Sequence, residues 1–170
     1  MYFILLHAGP ASTRHEIAAP ETSRGKPLLS LEDIEYVQTK DGENEWRLIA
    51  QQAAYIKSQD VTTFKQVHFI YYLQDQQELH LTGETGEMNL KDRSISVHGD
   101  VNVDLGDRVR LETDQMFYDD TSKEIWTPGE VRIRSRQCLL KGKGMRAQVD
   151  QRRFLLEDNV EAKIFPQTVR

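Results

Sequence analysis

The chain has a single cysteine, Cys138, among 170 residues. One thiol closes no internal disulfide and builds no zinc site alone, so a disulfide scaffold and a zinc module are both excluded. Long apolar runs are missing as well. The stretch Met1–Leu6 ends near Ala8, with Gly9 and Pro10 behind it. A spanning helix needs about 20 apolar residues, and a secretory signal needs a basic start and a longer apolar region. Positive charge is in deficit, with 22 Lys and Arg against 27 Asp and Glu and a net charge of −5. Domains that bind nucleic acid generically are strongly basic, so no nucleic-acid partner is expected. The glycine pair in Lys141–Gly144 lacks the spacing of a phosphate-binding loop, and no stacked row of carboxylates suggests polysaccharide hydrolysis.

What remains is an ordinary globular balance, 38% hydrophobic and 29% charged, in a chain of the length of one domain. The charge is uneven. Residues 108–153 carry 11 Lys and Arg against 7 Asp and Glu, a net of +4, whereas residues 1–107 carry 9 against 17, a net of −8. Residues 1–28 are rich in Ala, Pro, Ser, Thr and Gly and read as a tail, or as the remnant of an anchor. From Leu29 to about residue 166 short apolar alternations separated by turn signals indicate one all-β domain, and 167–170 is a C-terminal tail.

The alternation has period two: Val67, Phe69, Tyr71 and Leu73 share one parity, as do Val101, Val103 and Leu105. Period two places one face inward and one in water. Four segments repeat this arrangement. Each opens on a Leu (Leu48, Leu81, Leu111, Leu140), passes a polar turn, and re-enters on a Val (Val67, Val101, Val131, Val160). The Leu-to-Val spacings are 19, 20, 20 and 20 residues. A unit of two strands and a turn cannot bury its apolar face alone, so the repeat predicts serially joined hairpins sharing one core. A small residue follows each leading Leu by two: Ala50, Gly83, Thr113 and Gly142. Tight packing between sheets accounts for it, and close approach of an apolar ligand accounts for it equally.

The inward set comprises Trp46, Leu48, Tyr55 and Phe64 from the first unit, and Val67, Phe69, Tyr71, Leu81 and Met88 from the next strands. Val101, Val103, Leu111, Met116 and Tyr118 follow, then Val131, Ile133, Leu140 and Met145, and finally Phe154, Val160 and Ile164. Core and ligand groove want the same parity and the same residue types. His68, His80 and His98 fall outward and read as solvated strand residues, without a metal. Cys138 shares the parity of Leu140 and reads as a small core residue. Asp119 with Asp120, and Glu157 with Asp158, stand where turns are expected. Arg132, Arg134 and Arg136 alternate with Val131 and Ile133, and Arg108 and Arg110 repeat this one strand earlier. Such a basic outward stripe can meet phosphates or an acidic partner, or can simply be solvated and discourage edge pairing.

The run Trp46–Ala50 after Asp41 and Gly42, followed in order by entries at Gly99–Val101, Gly129–Val131 and Asn159–Val160, resembles the LptC/OstA-like family of lipopolysaccharide-export proteins over residues 29–164. The resemblance implies an all-β, twisted open jellyroll of antiparallel hairpins with about nine strands or more and an apolar interior for lipid A acyl chains. It implies a non-enzymatic relay without cofactor, taking lipopolysaccharide from an inner-membrane ABC transporter to a soluble periplasmic bridge protein. It further implies a periplasmic domain tethered to the inner membrane by an N-terminal helix, expected outside this sequence. Open sheet edges are templates for strand addition. The expected docking edges are therefore Glu32, Ile34 and Tyr36 at one end, and Phe154, Leu156, Val160, Ala162 and Ile164 at the other; a second copy of the chain is a further expected partner. A soluble bridge protein of the OstA type is an alternative reading, as is a carbohydrate-active β-solenoid.

Overall fold

The computed structural model describes residues 4–8, 29–73, 77–106, 108–148, 151 and 153–166. Among them there are ten strands and no helix: β1 Ile4–Ala8, β2 Leu29–Lys40, β3 Glu43–Ile56, β4 Val61–Tyr72, β5 Glu78–Asn89, β6 Ser94–Leu105, β7 Val109–Asp119, β8 Glu124–Ser135, β9 Cys138–Gln148 and β10 Arg153–Ile164. They pair in chain order in one sheet, each neighbour antiparallel to the last. The serial hairpins read from the repeat are therefore present, and a parallel solenoid is overturned, because short turns join antiparallel strands and parallel ones need longer crossovers. Residues 4–8 lie within the N-terminal stretch read as a tail, yet form a strand on β2.

Each long strand is bent near its middle, and this turns one sheet into two facing layers. Left-handed backbone occurs inside strands at Asp33, Gln66, Gly99, Asp100 and Asn159. Asp and Asn tolerate that conformation better than most residues because their short polar side chains bond locally. The ladders break at matching heights: Thr82/Thr85 between β5 and β6, His98/Val101 between β6 and β7, Glu112/Phe117 between β7 and β8, Thr127/Glu130 between β8 and β9, and Asp158/Glu161 between β9 and β10. An extra residue in one strand bends it and raises its twist. Burial records the same break. In β7 the buried positions are Leu111 and Thr113 before the bend and Met116 and Tyr118 after it; in β4 they are Phe64 before and Val67, Phe69 and Tyr71 after, with Ile70 buried on the other face. In these two strands the inward parity therefore switches at the bend, whereas β6 and β8 keep theirs, and both halves turn their apolar side chains into one core.

The recurring small residues sit where the halves converge. Ala50 and Gly83 flank Val67 in the ladder, Thr113 faces Val101, and Gly142 faces Val131. A Cβ on Gly83 would lie 2.3 Å from Val97 Cγ1, and Val97 is itself 2% exposed. Small residues alternating with branched ones let the layers close without voids. Thr113 Oγ1 donates to the Glu130 carbonyl at 2.8 Å, and the Gly129 N–H donates to Thr127 Oγ1 at 3.1 Å. These bonds satisfy backbone groups near the ladder break.

Candidate functional site

The interior between the layers is one continuous apolar trough running from β2 to β9. Rings line its N-terminal part: Tyr36 stacks on Trp46 at 5.3 Å, Trp46 meets Phe69 at 5.4 Å, and Phe69 and Tyr71 meet Tyr118 of the opposite layer at 5.7 and 6.1 Å. Such offset and edge contacts are the favourable aromatic geometries. Of the 21 residues of the inward set, 16 are at most 8% exposed, from Trp46 through Met145. The trough is therefore closed and packed in this conformation. The Trp46 indole N–H is buried there without a hydrogen-bond partner, an arrangement that costs about 1–3 kcal/mol.

The other five differ. Tyr55 is half-buried and its hydroxyl donates to Asp60 at 2.8 Å, tying it to the β3–β4 turn rather than to the trough. Leu140 is half-buried. Phe154 and Val160 are each 55% exposed, and Ile164 is 76% exposed, because β10 is the last strand of the sheet and, among the described residues, no further strand pairs beyond it. Two ladders show the gradient. Tyr118, Ile125, Ala147 and Phe154 follow one another across β7–β10, as do Leu111, Ile133, Leu140 and Ala162. Each passes from buried through half-buried to exposed. The apolar interior thus runs out onto an unpaired edge, where Phe154, Val160, Ala162 and Ile164 are exposed and Leu156 is half-buried.

At the other end the edge expectation needs correction. β1 pairs with β2 from Ala8↔Ile34 to Ile4↔Gln38, so Ile34 and Tyr36 have strands on both sides, and Ile34 is 5% exposed. Glu32 lies on the stretch of β2 that β1 does not reach.

A buried polar latch bridges the layers and was not anticipated. Asp120, 3% exposed, accepts hydrogen bonds from Lys123 Nζ at 2.7 Å, Tyr118 Oη at 3.1 Å and Gln38 Nε2 at 3.3 Å. Lys123 Nζ also meets Glu45 at 2.6 Å, and Arg93 reaches Asp120 at 3.4 Å. Burial pushes the Asp120 carboxyl up, but the hydrogen bond and charge of Lys123, with the Gln38 and Tyr118 bonds, outweigh it and hold it below its usual range. Burial likewise pulls Lys123 down, and Asp120 and Glu45 more than restore it. Burial and the Asp120 charge raise Tyr118 far above the normal phenol value. Turn chemistry belongs to Asp119 alone, which accepts from the N–H groups of Thr121 and Ser122 at 2.8 and 2.9 Å. The signal that could have found the latch is Gln38, a polar side chain on the parity of Ile34 and Tyr36.

Other residues singled out earlier stay apart from the trough. Glu157 and Asp158 lie within β10 beside its ladder break, not in a turn, and Glu157 pairs with Arg146 at 3.0 Å. Cys138 is half-buried, with Sγ 3.3 Å from Ser135 Oγ, because it lies at the end of β9 facing the exposed Ile164. On the outer face Glu78 accepts from His80 Nε2 at 3.0 Å and His80 Nδ1 meets His68 Nε2 at 2.9 Å. With the carboxylate holding the His80 proton at Nε2, Nδ1 accepts and His68 donates. Burial, then the His80 charge, lowers His68. Among the described residues no three His, Cys, Asp or Glu are placed to hold a metal, and no helix is long and apolar enough to cross a membrane.

The outer face also carries an aromatic ladder. Phe117 and Trp126 stack at 4.2 Å, with Arg146 5.7 Å over Trp126 and His98 edge-on to Phe117.

The family model described as lipopolysaccharide-assembly, LptC-related, matches residues 1–164. No curated protein sequence matches the chain. Among solved structures the chain is similar in fold to LptH of Pseudomonas aeruginosa, described as the LptA-homologous periplasmic component of the lipopolysaccharide transport device. The TM-score is 0.58 at 11% identity, covering 71% of this chain and 95% of that one.

Proposed function

This chain belongs to the LptC-related lipopolysaccharide-assembly family, and from that membership we propose that it relays lipopolysaccharide through its apolar trough without catalysis. The donor is an inner-membrane ABC transporter, and the acceptor is a soluble bridge protein in the periplasm. The observation that carries this reading is the outward run of the interior onto β10, where buried ladders end in exposed Phe154 and Ala162. A partner strand added to β10 satisfies its free backbone groups. It also extends both layers, so the apolar path continues from one protein into the next. Each acyl methylene moved along that path stays out of water, a gain of about 0.8 kcal/mol per CH₂ over crossing the solvent.

Because the inward residues are tightly packed, acyl chains enter only when the layers part, and the uncovered β9–β10 end opens at least cost. A likeness to an LptA homologue is compatible with a soluble bridge protein too, but the family match favours the LptC-type role. A photo-crosslinking residue at Phe69 or Val103 is expected to capture lipopolysaccharide, and one at Ile164 the bridge protein. Glu161→Pro is expected to weaken bridge-protein binding and leave lipid uptake intact. Lipid capture at the outward Thr82 and Asn102 but at no inward position would sink the trough reading.

A further inference from the structure

At the β7–β8 end of the sheet a cleft of about 700 Å³ is lined by Arg108, Arg110, Arg134 and Arg136 together with Asp104 and His80. Its strand pairing is unusual. Along β7 and β8 Glu112 faces Arg132, and the two form an ion pair at 3.3 Å. Two residues on, Arg110 faces Arg134, and Arg108 and Arg136 lie just past the last pair of this ladder, Val109↔Ser135. Like charges directly opposite destabilise a sheet.

One carboxylate relieves them: Asp104 takes Arg110 at 2.8 Å. Among the described residues no acid pairs with Arg108, Arg134 or Arg136, leaving four guanidinium groups against one carboxylate in the described lining. His80 contributes nothing further, since Glu78 and His68 engage its two nitrogens. Protection of a sheet edge does not explain these arginines either. β7 and β8 are interior strands, paired on both sides by β6 and β9.

From these facts we propose that the cleft is a phosphate-binding site. It takes a ligand bearing a phosphate monoester, diester or pyrophosphate. Guanidinium groups grip phosphate oxygens through paired N–H donors, and a bound dianion relieves the like-charge pair Arg110/Arg134 while drawing on Arg108 and Arg136. The source of the phosphate is a lipid headgroup or a free anion. The site stands on the arginine geometry alone and does not depend on the trough reading, so either can fail without the other.

The test is calorimetric titration of the full chain with sodium pyrophosphate at constant ionic strength, beside co-sedimentation with vesicles of phosphatidylcholine alone or mixed equally with phosphatidylglycerol. Arg134→Gln with Arg136→Gln is expected to weaken pyrophosphate binding by about tenfold or more, near 1.4 kcal/mol. Lys57→Gln with Lys91→Gln removes equal charge from distant turns and is expected to change it by less than about twofold. The pair Arg134→Lys with Arg136→Lys is expected to fall between, because an ammonium keeps the charge and loses the fork. Vesicle binding that needs phosphatidylglycerol and both arginines identifies a lipid headgroup; pyrophosphate binding without vesicle binding identifies a free anion. Equal binding by the parent and the glutamine pair, or no binding of either probe beyond that of chloride, overturns the proposal.

Discussion

Lys123→Met removes the cation of the latch while keeping much of the side chain's bulk. In the parent, one ammonium sits 2.6 Å from Glu45 and 2.7 Å from Asp120, whose side chains are 9% and 2% exposed. The variant leaves two carboxylates without the cation that joins them. Breaking a buried ion pair costs about 3–5 kcal/mol. The lower end applies, because Arg93, Gln38 and Tyr118 still contact Asp120. A loss of about 3 kcal/mol lowers the melting temperature of a domain of this size by about 6–12 °C. The pH dependence makes the prediction specific. The parent's Asp120 is held below its usual range, so its contribution is present above the unfolded value of about 3.9 and fades as pH falls through the folded value. Without Lys123 the burial remains and drives a carboxyl upward, so one of the two protonates early and can donate a hydrogen bond to the other. Urea denaturation followed by fluorescence at pH 7 and at pH 4.5 measures the difference between variant and parent. It is expected to shrink at the lower pH. A difference below about 0.5 kcal/mol at pH 7, the size of an ordinary surface change, or one unchanged by pH, refutes the latch.

Gly83→Ala places a methyl against Val97 and is expected to cost about 1–3 kcal/mol in chemical denaturation, because the converging layers leave no room to relax. His68 is lowered by burial and by the His80 charge, so the unfolded chain takes up protons that the folded chain does not. Stability should therefore decline as pH falls from about 7 through the unfolded value near 6.5, and His68→Gln should flatten that decline in melting curves taken at several pH values. Phe154→Lys with Ile164→Lys alters only exposed positions, so thermal stability should move by less than about 0.5 kcal/mol. Association with a strand-adding partner should fall in a pull-down, and an unchanged pull-down would remove β10 from the docking reading.

Parity and spacing by themselves determined that this chain is a run of antiparallel hairpins with one apolar face. A period of two leaves a strand no other way to bury Leu48, Val101 and Ile133 while wetting their neighbours. The 16 trough residues that proved buried were legible for that reason. The mid-strand bends were not, because a left-handed Gln66 or Asp100 carries no mark in composition. They decide that the two halves of one strand face each other, and so what the small residue at Gly83 is for. Nor could parity tell an enclosed position from an edge: Phe154 and Met145 share an inward orientation, and only strand order leaves Phe154 uncovered. The strand at Ile4–Ala8 took Ile34 and Tyr36 out of the edge set for the same reason. The latch joins Gln38 to Asp120 across 82 residues of chain. That meeting depends on how the layers twist, a property of the whole sheet that no local pattern records.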